Sequence, residues 1–221
     1  MSIAQNLVQI HASLPYGVKL VAVSKFQPIE AIMEAYDVKQ RVFGESRAQE
    51  LLEKVKVLPP NIEWHFIGHL QTNKVRDILP HVHLIHSVDS LKLLQVINDE
   101  AKRIDRFVRV LLEIQIAQED TKSGFTPAEC RLLLKENPLS DFPYVRICGL
   151  MGMATNTDNE KQIRNEFRIL SEFFTEMQEK FFKRNKDFKE LSMGMTYDYP
   201  IAIAEGSTMV RIGSGIFGER V

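Results

Sequence analysis

Short apolar runs and helical patterns alternate along this chain without interruption, and that alternation constrains its fold more than any other feature. Strand-like runs lie at 18–25, 41–45, 63–69, 83–89, 107–116, 145–153, 190–195 and 209–213. Helix-period stretches lie between them at 28–37, 47–57, 72–80, 90–104, 126–136, 159–184 and 200–205. Runs such as VKLVAV are apolar at successive positions rather than at every second one, so they call for cover on both faces, as in a parallel sheet. Eight such strands in strict alternation with helices predict a (β/α)8 barrel of the TIM type in the α/β class. Caps agree with the helix starts: Ser90 precedes LKLLQVINDEAK, and Thr126-Pro127 precedes AECRLLLKE. Ile3, Leu7, Ile10 and Leu14 recur at helical spacing ahead of the first strand. The longest helix carries Ile163, Phe167, Leu170, Phe174, Met177 and Phe181 at steps of four and three. That stripe lasts under four heptads, which predicts packing on the sheet rather than a coiled-coil seam. No linker, composition shift, repeat or low-complexity tract divides residues 1–221, so one domain is expected.

The first strand ends on a lysine. In VKLVAVSKFQP, residues 18–28, the aliphatic run stops at Ser24-Lys25 before Pro28. The carboxyl ends of barrel strands are where ligands bind, so Lys25 is either a surface cation or an amine held in a pocket for chemistry. The tail, MVRIGSGIFGERV, contains Gly213-Ser214-Gly215-Ile216-Phe217-Gly218, formally a G-x-G-x-x-G string. A dinucleotide fingerprint needs a further strand with an acidic residue about 20 positions on. Too little sequence follows Gly218 for that. A glycine-rich turn after the eighth strand is still a phosphate cup in kind, because backbone N–H groups approach closely where no Cβ intervenes. Ser192-Met193-Gly194, ending the seventh strand, again sets a hydroxyl beside a glycine. Strand alternation points Arg211 and Gly213 to one face. If that face is the interior, a guanidinium lies at the pocket floor. Lysine, arginine and phosphate cup together suggest a Schiff base with a phosphorylated carbonyl compound, either pyridoxal 5′-phosphate or a sugar-phosphate aldolase substrate.

Composition removes other classes. The chain has 28 basic and 29 acidic residues, so no global field attracts nucleic acid or an anionic membrane. No apolar stretch approaches membrane-spanning length, and MSIAQNLVQIHASLP lacks the layout of a secretory signal. Cys130 and Cys148 lack metal-ligand spacing and read as free thiols, which with the rest implies a cytoplasmic protein. His65 and His69, and the group His81, His83 and His86, lack the further ligands a metal needs and are expected at the barrel mouth or at helix ends. Lys122-Ser123-Gly124 is expected in an exposed loop. Asp198 and Glu205 are expected to be solvated. Ser24 has no nucleophile-elbow context.

The motifs VAVSK, FGES, WHFIGHLQTNK, IHSVD, TKSGF, GLMGM, LSMGM and GSTMVRIGSGIFG occur in this order over about the whole chain. With them the chain resembles the pyridoxal-phosphate homeostasis protein family, single-domain relatives of the alanine racemase barrel. The resemblance implies a lysine aldimine with pyridoxal 5′-phosphate at Lys25. It implies a phosphate grip from Ser192, Gly194, Gly213 and Ser214, and Arg211 facing the pyridine nitrogen. Ser46 stands where many members have an asparagine approaching the cofactor ring, and Gln27 where many have a second lysine, so neither role carries over. Family members are regarded as buffering the cofactor without established turnover. The expectation is therefore a monomeric, non-enzymatic carrier in intracellular vitamin B6 homeostasis, with apo forms of pyridoxal-phosphate enzymes as partners. The alternatives are an amino-acid racemase or related enzyme on the same barrel, and a cofactor-free lysine aldolase, which would leave Arg211 without a role. The racemases bring a tyrosine base from an additional β-domain and a partner subunit, which a chain ending at Val221 is expected to lack. Tyr197 and Tyr199 are expected on the phosphate side.

Overall fold

The computed structural model describes residues 2–117 and 123–218. Eight parallel strands close into a barrel in sequence order, the last pairing with the first. They are β1 (Lys19–Val23), β2 (Val42–Glu45), β3 (Glu63–Phe66), β4 (Val82–Val88), β5 (Val108–Glu113), β6 (Val145–Met151), β7 (Glu190–Ser192) and β8 (Met209–Ile212). The helices are α1 (Ile3–Ser13), α2 (Ile29–Asp37), α3 (Ala48–Lys54), α4 (Val75–Ile78), α5 (Leu91–Arg103), α6 (Pro127–Glu136), α7 (Glu160–Lys180), α8 (Tyr199–Ala204) and α9 (Ser214–Phe217). The expected (β/α)8 barrel is the observed one.

The local signals act as read. Ser90 Oγ accepts the Leu93 amide, and Thr126 forms a capping box with Glu129 behind Pro127. In α7, Ile163, Phe167, Leu170 and Met177 are buried in the layer between helix and sheet, so the stripe is a packing face. Each such side chain withdrawn from water contributes about 1.5–3 kcal/mol. Differences lie at element ends. The stretch 72–80 is a 3-10 turn, Thr72–Lys74, followed by the one-turn α4, and Pro80 has no amide N–H with which to continue the helix. The seventh strand stops at Ser192 rather than 195. Gly194 has φ +95°, and a Cβ there would lie 2.6 Å from that of Ala202.

Alternation sorts each strand into two layers. Leu20, Ala22, Phe43, Trp64 and Phe66 face outward into the main core under the helices. Val21, Leu84, Leu111, Cys148, Met151 and Met209 fill the inside of the barrel. His65, His86, Ser192 and Arg211 share that interior and are almost fully buried.

Candidate functional site

A cavity of about 630 Å³ opens at the carboxyl ends of the strands, with Lys25, Ser46, Glu113, Arg211, Gly213 and Ser214 among its walls. Lys25 leaves β1 through a turn held from behind. Ser24 Oγ donates to Glu45 Oε1 at 2.6 Å. Lys54 Nζ, 5% exposed, donates to the Ser24 carbonyl and to Glu45 and Glu50. Glu50 also accepts the Phe26 amide. Phe26 has φ +65°, which an aromatic residue adopts only when its surroundings impose it. Arg47 stacks over its ring at 4.5 Å. Burial raises the Glu45 pKa, with Lys54 and Ser24 opposing. Losing either member of such a buried pair leaves an uncompensated charge, so the cluster secures the backbone that presents Lys25.

At the opposite side, Gly213 leads into α9. Thr196 Oγ1 lies 3.2 Å from Ser214 Oγ and accepts the Gly215 amide. The amides at the start of α9 have no intrahelical acceptor. The turn carrying Thr196 is pinned by Asp198, whose carboxylate accepts the Met195 amide. Asp198 is therefore buried, not solvated, and burial raises its pKa. Glu205 likewise is paired, with Arg164 and Arg168.

Arg211 forms the floor. Its Nη1 donates to the Ser192 carbonyl (2.9 Å) and hydroxyl (2.6 Å), and its Nη2 donates to the Gly152 carbonyl at 3.0 Å. Three of the five guanidinium N–H groups are thus spent, leaving two for the cavity. Burial lowers its pKa to about 10, with Asp198 and Glu113 opposing, so it stays charged at neutral pH.

Four of the six expected site residues, Lys25, Arg211, Gly213 and Ser214, meet at this cavity. Ser192 and Gly194 do not line it. Ser192 is fully buried beneath Arg211, and Gly194 shapes the turn while its carbonyl accepts the Arg211 amide. Alternation explains Ser192, which faces the barrel axis one level below the mouth. Thr196, four residues on, takes the wall position that Ser192 was expected to hold, and Gln27 and Ser46 also reach the cavity. Glu113 reaches it too. Its pKa is raised by burial, with the Ser123 hydroxyl opposing from 2.7 Å. Ser123 therefore belongs to the site, while Lys122 lies outside the described residues. Tyr197 is an exposed rim residue, and Tyr199 turns away to place its hydroxyl 3.1 Å from Ser13 Oγ.

His69 lines the mouth as expected, but His65 and His86 overturn that placement. His65 and His86 are inside the barrel, not at its mouth, because Trp64 and Phe66 take the outward positions of β3. His65 Nδ1 lies 2.9 Å from His86 Nε2, and His86 Nδ1 lies 3.0 Å from Ser192 Oγ. His83 stacks on His65 with centroids 5.8 Å apart, and sits near Glu63 and Arg109 at the far end of the barrel. Burial, then His83, Lys19 and Arg109, lower the His65 pKa to about 3. Burial, His65 and Arg211 push His86 well below its ordinary value. Among the described residues no group of three or more His, Cys, Asp or Glu is placed to hold a metal.

This has a measurable consequence. In the unfolded chain His65 takes up a proton below about pH 6.5, whereas in the folded chain it does so only near 3. Between those values the unfolded state binds more protons, so stability falls as pH falls, by up to about 1.4 kcal/mol per pH unit for one histidine. The contribution is complete above about pH 6.5 and gone below about pH 3. Denaturant midpoints measured across this window are expected to fall less steeply for His65→Asn than for the wild type. Parallel slopes would contradict the buried neutral state.

Residues 1–221 match the family model of the alanine racemase N-terminal domain. The pyridoxal phosphate homeostasis protein of Haemophilus influenzae is 41% identical over 92% of this chain and 85% of its own length. The human protein of that name is 39% identical over 91% of this chain and 76% of its own length. PipY of Synechococcus elongatus, solved without pyridoxal phosphate, superposes with TM-score 0.92 at 37% identity, covering 98% of this chain and all of that one. PipY has also been solved with pyridoxal phosphate bound, with TM-score 0.89. An alanine racemase from Clostridium difficile, 19% identical, shares the fold over 56% of its length with TM-score 0.75. The barrel, its ordered motifs and these relatives agree: this chain belongs to the alanine racemase N-terminal domain family and, within it, to the pyridoxal phosphate homeostasis proteins.

Proposed function

We propose that this protein holds pyridoxal 5′-phosphate through Lys25 and buffers it or passes it to apo-enzymes in the cytoplasm, without turning over a substrate of its own. The observation that carries this reading is the convergence of the Lys25 amine, the Arg211 guanidinium and the Thr196–Ser214 cup on one cavity. The residues fit the cofactor's three ends. Lys25 supplies an amine for the aldehyde, and the hydroxyls and amides at Thr196, Gly213 and Ser214 suit a phosphate. One of the two unspent Arg211 N–H groups suits the pyridine nitrogen. When bound, the cofactor supplies an electrophilic carbonyl and an electron-accepting ring. Ser192 and Gly194 enter indirectly, by seating Arg211 and shaping the cup.

Arg211 also argues against catalysis. A guanidinium donates to the ring nitrogen and keeps that nitrogen unprotonated, which weakens the ring as an electron sink. Among the described residues the Met153, Met195 and Tyr197 side chains on the rim are exposed, which suits an open mouth better than a water-excluding one. Single-domain, monomeric behaviour suits a carrier whose cargo must leave. The test is α-proton exchange in deuterated water with a panel of L-amino acids, alongside reactivation of an apo pyridoxal-phosphate enzyme. Reactivation without exchange is expected. Lys25-dependent exchange at about 1 per second or faster would make the protein an enzyme instead.

A further inference from the structure

The polar column under the cavity does more than fill the barrel. We infer that His86, backed by His65, is a positioning residue that acts through Ser192 to fix the orientation of Arg211 at the cavity floor. This inference rests on the reading of Arg211 as the ring-nitrogen partner.

The proton positions follow from the contacts. Arg211 has only donors, so Ser192 Oγ accepts from its Nη1. Ser192 is fully buried, and among the described residues its hydroxyl has one other hydrogen-bonding partner, His86 Nδ1. If His86 Nδ1 carried the proton, the serine hydrogen would be buried without an acceptor. The serine therefore donates to Nδ1, and His86 is protonated at Nε2. That Nε2–H in turn donates to His65 Nδ1. The chain has one direction throughout, from Arg211 to Ser192 to His86 to His65, and each oxygen or nitrogen has one assigned role.

Such a chain fixes rotamers. Ser192 cannot turn its lone pair from Arg211 without stranding its own hydrogen, and His86 cannot flip without reversing both its bonds. A proton added to either imidazole would go to an Nδ1 that is already accepting and would break the chain there. Burial and the neighbouring groups oppose that proton. His86 faces Arg211 of β8 and His65 of β3, while His65 faces His83 of β4, Lys19 of β1 and Arg109 of β5. Of the carboxylates at that end, Glu190 is paired with Lys19 and Arg109, and Glu63 lies 3.7 Å from His83. The column is therefore held neutral, and Arg211 remains the cation at the floor.

The experiment uses the full chain and three variants: His86→Leu, His86→Asn and Ser192→Ala. Asparagine sets an amide oxygen where Nδ1 stands and so keeps an acceptor for Ser192, whereas leucine does not. Two readouts are taken: pyridoxal phosphate affinity by absorbance titration, and the NMR resonance of an isotope-labelled ring nitrogen. His86→Leu and Ser192→Ala are expected to shift that resonance and weaken binding by about tenfold or more, the scale of one hydrogen bond to a charged group. His86→Asn is expected to restore both to within a few-fold of the wild type. A wild-type resonance in Ser192→Ala, or His86→Asn as impaired as His86→Leu, would overturn the inference. If His86→Leu does not fold, Ser192→Ala decides alone. Failure of the wild type to bind the cofactor, or binding away from Lys25, would instead count against the proposed function.

Discussion

Replacing Lys25 with alanine will abolish covalent capture of pyridoxal phosphate and weaken its binding by about 100-fold or more, about 2.7 kcal/mol. The size of the effect follows from the composition of the cavity, where Lys25 is the one lysine among the described wall residues. The other amines packed against the barrel are not available to substitute. Lys54 has three acceptors within hydrogen-bonding distance and faces the layer under α3, and Lys19 pairs with Glu190 at the other end of the barrel. Borohydride treatment followed by peptide mapping should find the cofactor on the peptide containing Lys25. The Lys25→Ala protein should be colourless and unlabelled yet fold normally, because Ser24 and Phe26 carry the contacts that hold the turn. Label on Lys54 or Lys19, or a coloured Lys25→Ala protein, would refute the assignment.

Pyridoxal, which lacks the phosphate, should bind between about 100-fold and about 10,000-fold more weakly than pyridoxal phosphate. The estimate takes as few as two hydrogen bonds to a charged group, at about 1.5–3 kcal/mol each. The Thr196 and Ser214 hydroxyls are the side-chain donors, and they touch one another. Thr196→Ala and Ser214→Ala should each reduce pyridoxal phosphate affinity, and the double variant should lose less than the product of the two, since neighbours couple. Both substitutions should leave the affinity for pyridoxal nearly unchanged. Equal affinities of the wild type for the two aldehydes would remove the cup from the site.

Much of this architecture is legible residue by residue. The unbroken apolar runs give the strands, since both faces of a parallel barrel are dry, and Lys25 stands out because it ends one. Arg211 is legible for the same reason, as a cation inside an apolar strand. Ser192 is not, because a serine two residues before a glycine reads equally as a cup or as a rung beneath it. One step of side-chain direction separates the two. His65 and His86 mislead for a related reason: polarity suggests surface, and only partners on other strands make their burial tolerable. Those partners are distant in sequence, so no local pattern announces them. Asp198 reads as a loop acid until the Met195 amide it caps is seen, and Thr196 gains its place only from the turn that Asp198 holds.

Closure of the barrel has one further consequence. Lys25 follows the first strand and Arg211 lies in the last, and these two strands are neighbours, with Val21 in register with Arg211. The amine and the guanidinium therefore come together only when the ring has shut, a contact spanning nearly the whole polypeptide and entropically slow to make. A chain still emerging from the ribosome has its amine long before it has its floor. Loading with cofactor must then follow completion of folding, and the colour of the bound form would serve as a clock for the final docking of β8.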